Sequence, residues 1–133
     1  MTTDADLKLL YVDDEPDLVA VVCRALKLDR RLEVMAVDRG AKALDVISKG
    51  DWRPDVVLLD VMMPDLDGPG TLDRIAELSG GSIPVIFFTA RAQNSELVEL
   101  ANSGAIGILT KPFDPLSLAK DIRRILANSK IAY

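Results

Sequence analysis

The sequence predicts an α/β fold, a single parallel sheet with helices on both faces. Two observations carry this. Short apolar runs alternate five times with helix-patterned segments along 133 residues, and the connections between them are too short for anything but local crossovers. The third run, Val56-Val57-Leu58-Leu59, is apolar at every position, as a strand covered on both faces requires. Size agrees with one domain. Hydrophobic residues make up 49% of the chain, and a chain of this mass buries about two-thirds of its unfolded surface, enough for one core and too little for two.

The elements follow in order. Leu7 to Val12 is an apolar run stopped by Asp13-Asp14-Glu15-Pro16. Leu18, Val21, Val22, Ala25 and Leu26 then recur at amphipathic-helix spacing, with Pro16 suited to the first turn. Glu33 to Val37 is a short second strand, and Ala41, Leu44 and Ile47 mark a helix closed by Gly50. After the third strand, Gly68-Pro69 opens a helix that runs through Leu72, Ile75 and Ala76 to Gly80-Gly81. Val85 to Phe88 is the fourth strand, followed by a helix near Glu96 to Ala101. Ile106 to Leu109 is the fifth strand, and Pro115 starts a last helix carrying Leu118, Ile122 and Ile125.

Composition excludes several chemistries. The chain has no histidine and one cysteine, Cys23, so His-based nucleophile systems, His-ligated metals, disulfides within the chain and Cys metal cages are all ruled out. A net charge of −5 argues against nucleic acid as a direct partner, because such faces cluster Lys and Arg. No apolar run reaches the ~18 residues of a membrane span, and the first residues lack the pattern of a signal peptide. A cytoplasmic location is expected. Cys23 is expected as an inert core residue, and Trp52 as cover for the rim of the sheet.

Function is read at the carboxyl ends of the strands, where such sheets bind ligands. The first strand ends in Asp13-Asp14, the third in Asp60 and the fourth in Thr89, and the fifth leads to Lys111. Three carboxylates sharing a pocket with one ammonium need a further cation to stay ionised. Mg²⁺ suits such an all-oxygen set. A carboxylate beside Mg²⁺, with a hydroxyl and an ammonium at hand, has the parts that phosphoryl transfer to an aspartate requires. Each residue also has a plainer role. The Asp pair would cap the first helix, Asp60 would be a turn acid, and Thr89 is ordinary at a strand end. None of these plainer roles explains why all four stand at the same end of one sheet.

With Asp13-Asp14, Leu-Leu-Asp60-Val-Met-Met-Pro-Asp-Leu-Asp-Gly, Phe-Phe-Thr89-Ala and Thr-Lys111-Pro-Phe in this order, the chain resembles the receiver domain of two-component response regulators over nearly its whole length. The resemblance implies a flavodoxin-like (βα)5 fold with strand order 2-1-3-4-5. One receiver domain over residues 1–133, with no effector domain, is expected from the length of the chain. It implies Asp60 as phosphoacceptor. Asp13, Asp14, Asp60 and the backbone carbonyl of Met62 would bind Mg²⁺, while Thr89 and Lys111 would contact the phosphoryl group. Pro64, Gly68 and Pro112 are turn positions of those motifs, and Lys111-Pro112 is a candidate cis peptide. The implied donor is a sensor histidine kinase or a histidine phosphotransfer protein.

One position departs from the pattern. Where the family usually has Tyr or Phe three residues before the lysine, this chain has Ile108, a stiff aliphatic with no hydroxyl. The usual coupling of Thr to an aromatic is therefore in question. Output is expected through protein binding on the face of the fourth helix, fifth strand and fifth helix, or through a role as relay intermediate or phosphate sink, by a monomer or a phosphorylation-dependent dimer. The alternatives are a Mg²⁺-dependent phosphohydrolase with an aspartate nucleophile and a flavin or nucleotide module. The first lacks the acid two residues after the nucleophile, where Met62 stands. The second lacks a phosphate loop, since Asp13-Asp14-Glu15-Pro16 is its electrostatic opposite.

Overall fold

Five strands, each followed by a helix, form the domain in a computed structural model that describes residues 5–63, 66–90 and 94–131. The order is β1 (Leu7–Val12), α1 (Pro16–Lys27), β2 (Leu32–Val37), α2 (Gly40–Lys49), β3 (Val56–Asp60), α3 (Gly68–Ser79), β4 (Val85–Thr89), α4 (Asn94–Ala101), β5 (Gly107–Thr110) and α5 (Leu118–Ile131). All strand pairs are parallel and the sheet order is β2-β1-β3-β4-β5. The expected fold class and strand order are therefore observed.

The chain leaves β1 toward β2 and then returns past β1 to β3, so the direction of winding reverses there. Right-handed crossovers accordingly place helices on opposite faces. One face of the sheet presents Leu9, Tyr11, Leu58, Ile86 and Phe88 to α1 and α5, and the other presents Leu10, Val12, Leu59 and Phe87 to α2 and α3. Every residue of β3 and β4 is buried. That agrees with continuous apolar runs in place of alternation.

Local signals set the helix ends. Gly50 and Gly80 take left-handed backbone at φ 73° and 63°, a conformation that glycine adopts without a Cβ penalty. The Asp67 carboxylate accepts from Gly70 N at 2.8 Å and caps α3. Neither aspartate after β1 is the cap of α1. That position falls to Glu15, whose side chain makes no capping bond.

Several expectations shift. Val21 lies off the buried stripe of α1 and is 52% exposed, because at 100° per residue it points well away from Val22 and Leu26. α5 begins at Leu118. Asp114 forms a turn ahead of it, accepting from Leu116 N at 2.9 Å through its side chain. β5 is Gly107–Thr110, one residue later than its apolar run. Gly107 admits α5, since a Cβ there would stand 2.6 Å from Ile125 Cγ2. Cys23 is half-buried against the α1–α5 side of the core. Trp52 packs partly against the other side and donates from Nε1 to Glu33 at 2.6 Å. No helix among the described residues is long and apolar enough to cross a membrane.

Candidate functional site

The strands deliver their polar residues to one end of the sheet. Asp60 is the last residue of β3, in register with Phe88, and Thr89 is the last residue of β4, in register with Thr110. Asp13 follows β1 directly, and its N–H still bonds to Val37 O at 3.2 Å. Lys111 follows β5, tied by its own N–H to Thr89 O at 2.8 Å. The Lys111-Pro112 peptide is cis.

Oxygens of Asp13, Asp14 and Asp60 all lie within 4.8 Å of one another. Asp13 is wholly buried and Asp60 is 4% exposed, while Asp14 faces solvent. Lys111 Nζ donates to Asp13 Oδ2 at 3.1 Å and to Asp60 Oδ1 at 3.4 Å. Asp13 Oδ2 also accepts from the Tyr11 hydroxyl at 2.7 Å, and Asp13 Oδ1 from Glu15 N at 3.1 Å. Met62 N donates to Asp60 Oδ1 at 3.4 Å, and the Met62 side chain stands out in solvent. Thr89 is buried at the same rim.

The electrostatics follow from this crowding. Burial, reinforced by the Asp13 charge, pushes the Asp60 carboxyl up to about 6, and Lys111 pulls it the other way. Burial, then the hydrogen bond to Asp13 and its charge, pushes the Tyr11 phenol far above its ordinary range. The donor set suits a hard divalent cation. It is all oxygen, it carries excess negative charge for one ammonium, and one carboxylate opens to solvent where a cation can keep its waters.

Neighbouring residues fix the rim. Gly68 N donates to Val61 O at 2.8 Å. A Cβ on Gly68 would fall 2.8 Å from Val61 Cα and 3.1 Å from Asp60 O, so only glycine lets α3 begin this close to the end of β3. Met63 is buried in the core between the sheet and α3. Ile108 sits half-buried on β5 against the same side of the core. Pro64 lies outside the described residues.

Sequence reasoning did not single out Tyr11 or Phe88. The Phe88 ring lies 6.3 Å from the Tyr11 ring and 5.8 Å from the Phe113 ring, with Lys111 Nζ 5.1 Å above its centroid. The signal for Tyr11 was present. It stands two residues before Asp13, and period-two alternation puts both side chains on one face of the strand.

A doubly wound sheet with an acidic cluster, a hydroxyl and a lysine at its carboxyl end defines a phosphoacceptor type of signalling domain. Residues 9–123 match the response regulator receiver domain model, and the chain belongs to that family. It is 37% identical over 123 residues to the transcriptional regulatory protein TrcR of Mycobacterium tuberculosis, covering 92% of this chain and 46% of the relative. Among solved structures it is similar to the chemotaxis protein CheY4 of Vibrio cholerae, at 29% identity and a TM-score of 0.77 over 91% of this chain and 99% of that one. It is also similar to the receiver domain of the response regulator NarL of Mycobacterium tuberculosis, at 27% identity and a TM-score of 0.81 over 92% and 98%. The chain spans about half the length of the curated relatives it matches. Several of these are named as transcriptional regulators, so the expectation of no nucleic-acid partner draws no support from them.

Proposed function

We propose that Asp60 accepts a phosphoryl group from a phosphohistidine on a sensor histidine kinase or phosphotransfer protein, and that the chain signals through the change this makes. The observation that carries the reading is the buried Asp60 carboxylate, placed among two further aspartates and 3.4 Å from the Lys111 ammonium. An Asp60 oxygen attacks phosphorus and forms an O–P bond, while the P–N bond breaks with its electron pair passing to the donor imidazole. Lys111 pairs with one phosphoryl oxygen and the Thr89 hydroxyl donates to another. Asp13, Asp14, Asp60 and the Met62 carbonyl hold Mg²⁺, which when bound supplies charge compensation for the phosphoryl oxygens. Water later cleaves the acyl phosphate and returns the carboxylate.

The reading makes the chain a cytoplasmic switch that turns over no external substrate. Position 62, where a phosphohydrolase of this type needs its general acid, is an exposed methionine. Output runs by phosphorylation-dependent protein contact on the α4–β5–α5 face, or the chain passes the phosphoryl group along a relay or drains it. With Ile108 in place of an aromatic, the switch is read through the backbone after Thr89 and α4. The test is intact-protein mass after incubation with a small acyl phosphate and Mg²⁺. One phosphoryl adduct, Mg²⁺-dependent and absent from Asp60→Asn, is expected. An adduct undiminished in Asp60→Asn moves the acceptor elsewhere.

A further inference from the structure

We infer that Tyr11 is a positioning residue for the Asp13 carboxylate, holding it in place for a divalent cation through its buried hydroxyl. The inference rests on the reading of Asp13, Asp14 and Asp60 as the Mg²⁺ site. Packing alone does not call for the hydroxyl. The Tyr11 ring has no exposed surface and lies in an apolar cluster with Leu9, Leu58 and Phe88. A phenylalanine would fill that space without a polar group to satisfy. The hydroxyl instead spends its proton on Asp13 Oδ2 at 2.7 Å.

Asp13 Oδ2 has two donors of different character. Lys111 Nζ is charged, reaches the same oxygen at 3.1 Å and divides itself with Asp60 at 3.4 Å. A divalent cation entering the cluster repels that ammonium, and a phosphoryl group on Asp60 draws it away. The Tyr11 hydroxyl is neutral, so neither event displaces it. It is also rigidly mounted, because β1 is paired on both sides, with Tyr11 opposite Ala36 and Leu58. Its ring is braced against Phe88, the ring over which Lys111 lies. Hydrogen-bond partners that orient a metal-binding carboxylate are commonly worth ten- to a hundredfold in metal affinity. Tyr11 is therefore the donor that keeps Asp13 aimed when Lys111 departs.

The test is calorimetric titration of the full chain with Mg²⁺, for the wild type, Tyr11→Phe and Leu9→Val. Tyr11→Phe keeps the ring and removes only the hydroxyl, and the Mg²⁺ Kd is expected to rise about tenfold. Leu9→Val loosens the same cluster away from the site and should lower the melting temperature with Kd unchanged. Equal Kd in the wild type and Tyr11→Phe overturns the inference, as does an equal loss of affinity in Leu9→Val, which makes the effect one of packing. A wild type that binds no Mg²⁺ overturns the metal site itself, and is thereby distinguishable from a failure of Tyr11 alone. Should Tyr11→Phe not fold, ¹³Cζ-labelled tyrosine in the otherwise native chain, assigned with Tyr133→Phe, answers the same question. The Tyr11 resonance must move along the Mg²⁺ titration, and a static one overturns the inference.

Discussion

The Lys111 ammonium rests 3.1 Å from a carboxylate oxygen of Asp13, a partner 98 positions away in the sequence. With the sheet ordered β2-β1-β3-β4-β5, Lys111 reaches from beyond β5 past the ends of β4 and β3 to the residue that follows β1. One side chain thus ties the last strand to the first across the mouth of the site. Its charge occupies the oxygens that a divalent cation needs.

Lys111→Ala is accordingly expected to act in two directions. In metal-free buffer the melting temperature falls, because a nearly buried cation no longer offsets two buried carboxylates. Mg²⁺ binds several-fold more tightly, because the competing ammonium is gone. Tyr11→Phe should weaken Mg²⁺ binding, so the two donors on one oxygen are separated by the sign of the change. Calorimetric titration of the variant reads it, and an unchanged Kd removes the competition from the account.

Asp60 makes the fold pH-sensitive in a direction opposite to most aspartates. Its carboxyl is raised to about 6, so the folded chain holds this proton more tightly than the unfolded one. Between about pH 4, where an unfolded aspartate ionises, and about pH 6, this group's contribution to stability falls as pH rises. Above that window the full cost of an ionised buried carboxylate is present. Asp60→Asn should therefore be more stable than the wild type at pH 7.5 without metal, by on the order of 2 kcal/mol, with the advantage gone below about pH 4. Urea unfolding at both pH values measures it. Mg²⁺ should close the gap at pH 7.5 by stabilising the wild type alone, and a variant less stable at pH 7.5 contradicts the argument.

Gly68 carries a steric prediction. Its N–H bonds Val61 O at 2.8 Å, and a Cβ would meet Val61 Cα at 2.8 Å, with Asp60 O and the Phe87 ring each at 3.1 Å. Two of those three neighbours are backbone and cannot swing aside. Gly68→Ala is expected to cost about 1–3 kcal/mol in urea unfolding, the usual penalty of overpacking. It should also slow acyl-phosphate labelling of Asp60, since relief requires the end of β3 to shift. Gly70→Ala, whose closest contacts are the side chains of Asp67 and Leu66, should perturb labelling less. Equal labelling in Gly68→Ala and the wild type would separate this glycine from the site.

How much of this was legible in the sequence depends on whether the signal was local. The rim residues Asp13, Asp60, Thr89 and Lys111 were legible because strand ends can be read from apolar runs and their polar stops, whereas the order of the strands in the sheet came from the resemblance to receiver domains. The start of α5 was not, because Asp114 closes a turn that propensity alone does not separate from a helix start. Val21 shares the amphipathic spacing of α1 and is still exposed, because aliphatic spacing does not say how wide a stripe the sheet covers. The pairing of Tyr11 with Asp13 was readable from strand alternation. That of Lys111 with Asp13 needed the fold, because a side chain's reach across the sheet leaves no trace in spacing.

At the far end of the molecule, Arg123 of α5 grips Asp29, just after α1, with Nε–Oδ2 at 2.6 Å and Nη2–Oδ1 at 3.2 Å. Its Nη1 also donates to Ala5 O at 2.7 Å. The arginine is 8% exposed, and its hydrogen bonds hold the Asp29 carboxyl below its ordinary range. A depressed carboxylate contributes stability that is present above the ordinary aspartate value of about 3.9 and is lost as pH falls through its folded value. Asp29→Asn leaves a largely buried guanidinium without its carboxylate, and is expected to cost about 1.5–3 kcal/mol at neutral pH. The difference from the wild type should shrink steadily below about pH 4, the reverse of the Asp60→Asn trend in sign although both variants remove one acid. Because this pair lies at the opposite end of the sheet from Asp60, acyl-phosphate labelling and Mg²⁺ affinity should be unchanged while the protein remains folded. Urea unfolding across pH, run beside the Mg²⁺ titration, tests both halves, and a shifted Mg²⁺ Kd would show that the two ends of the domain are coupled.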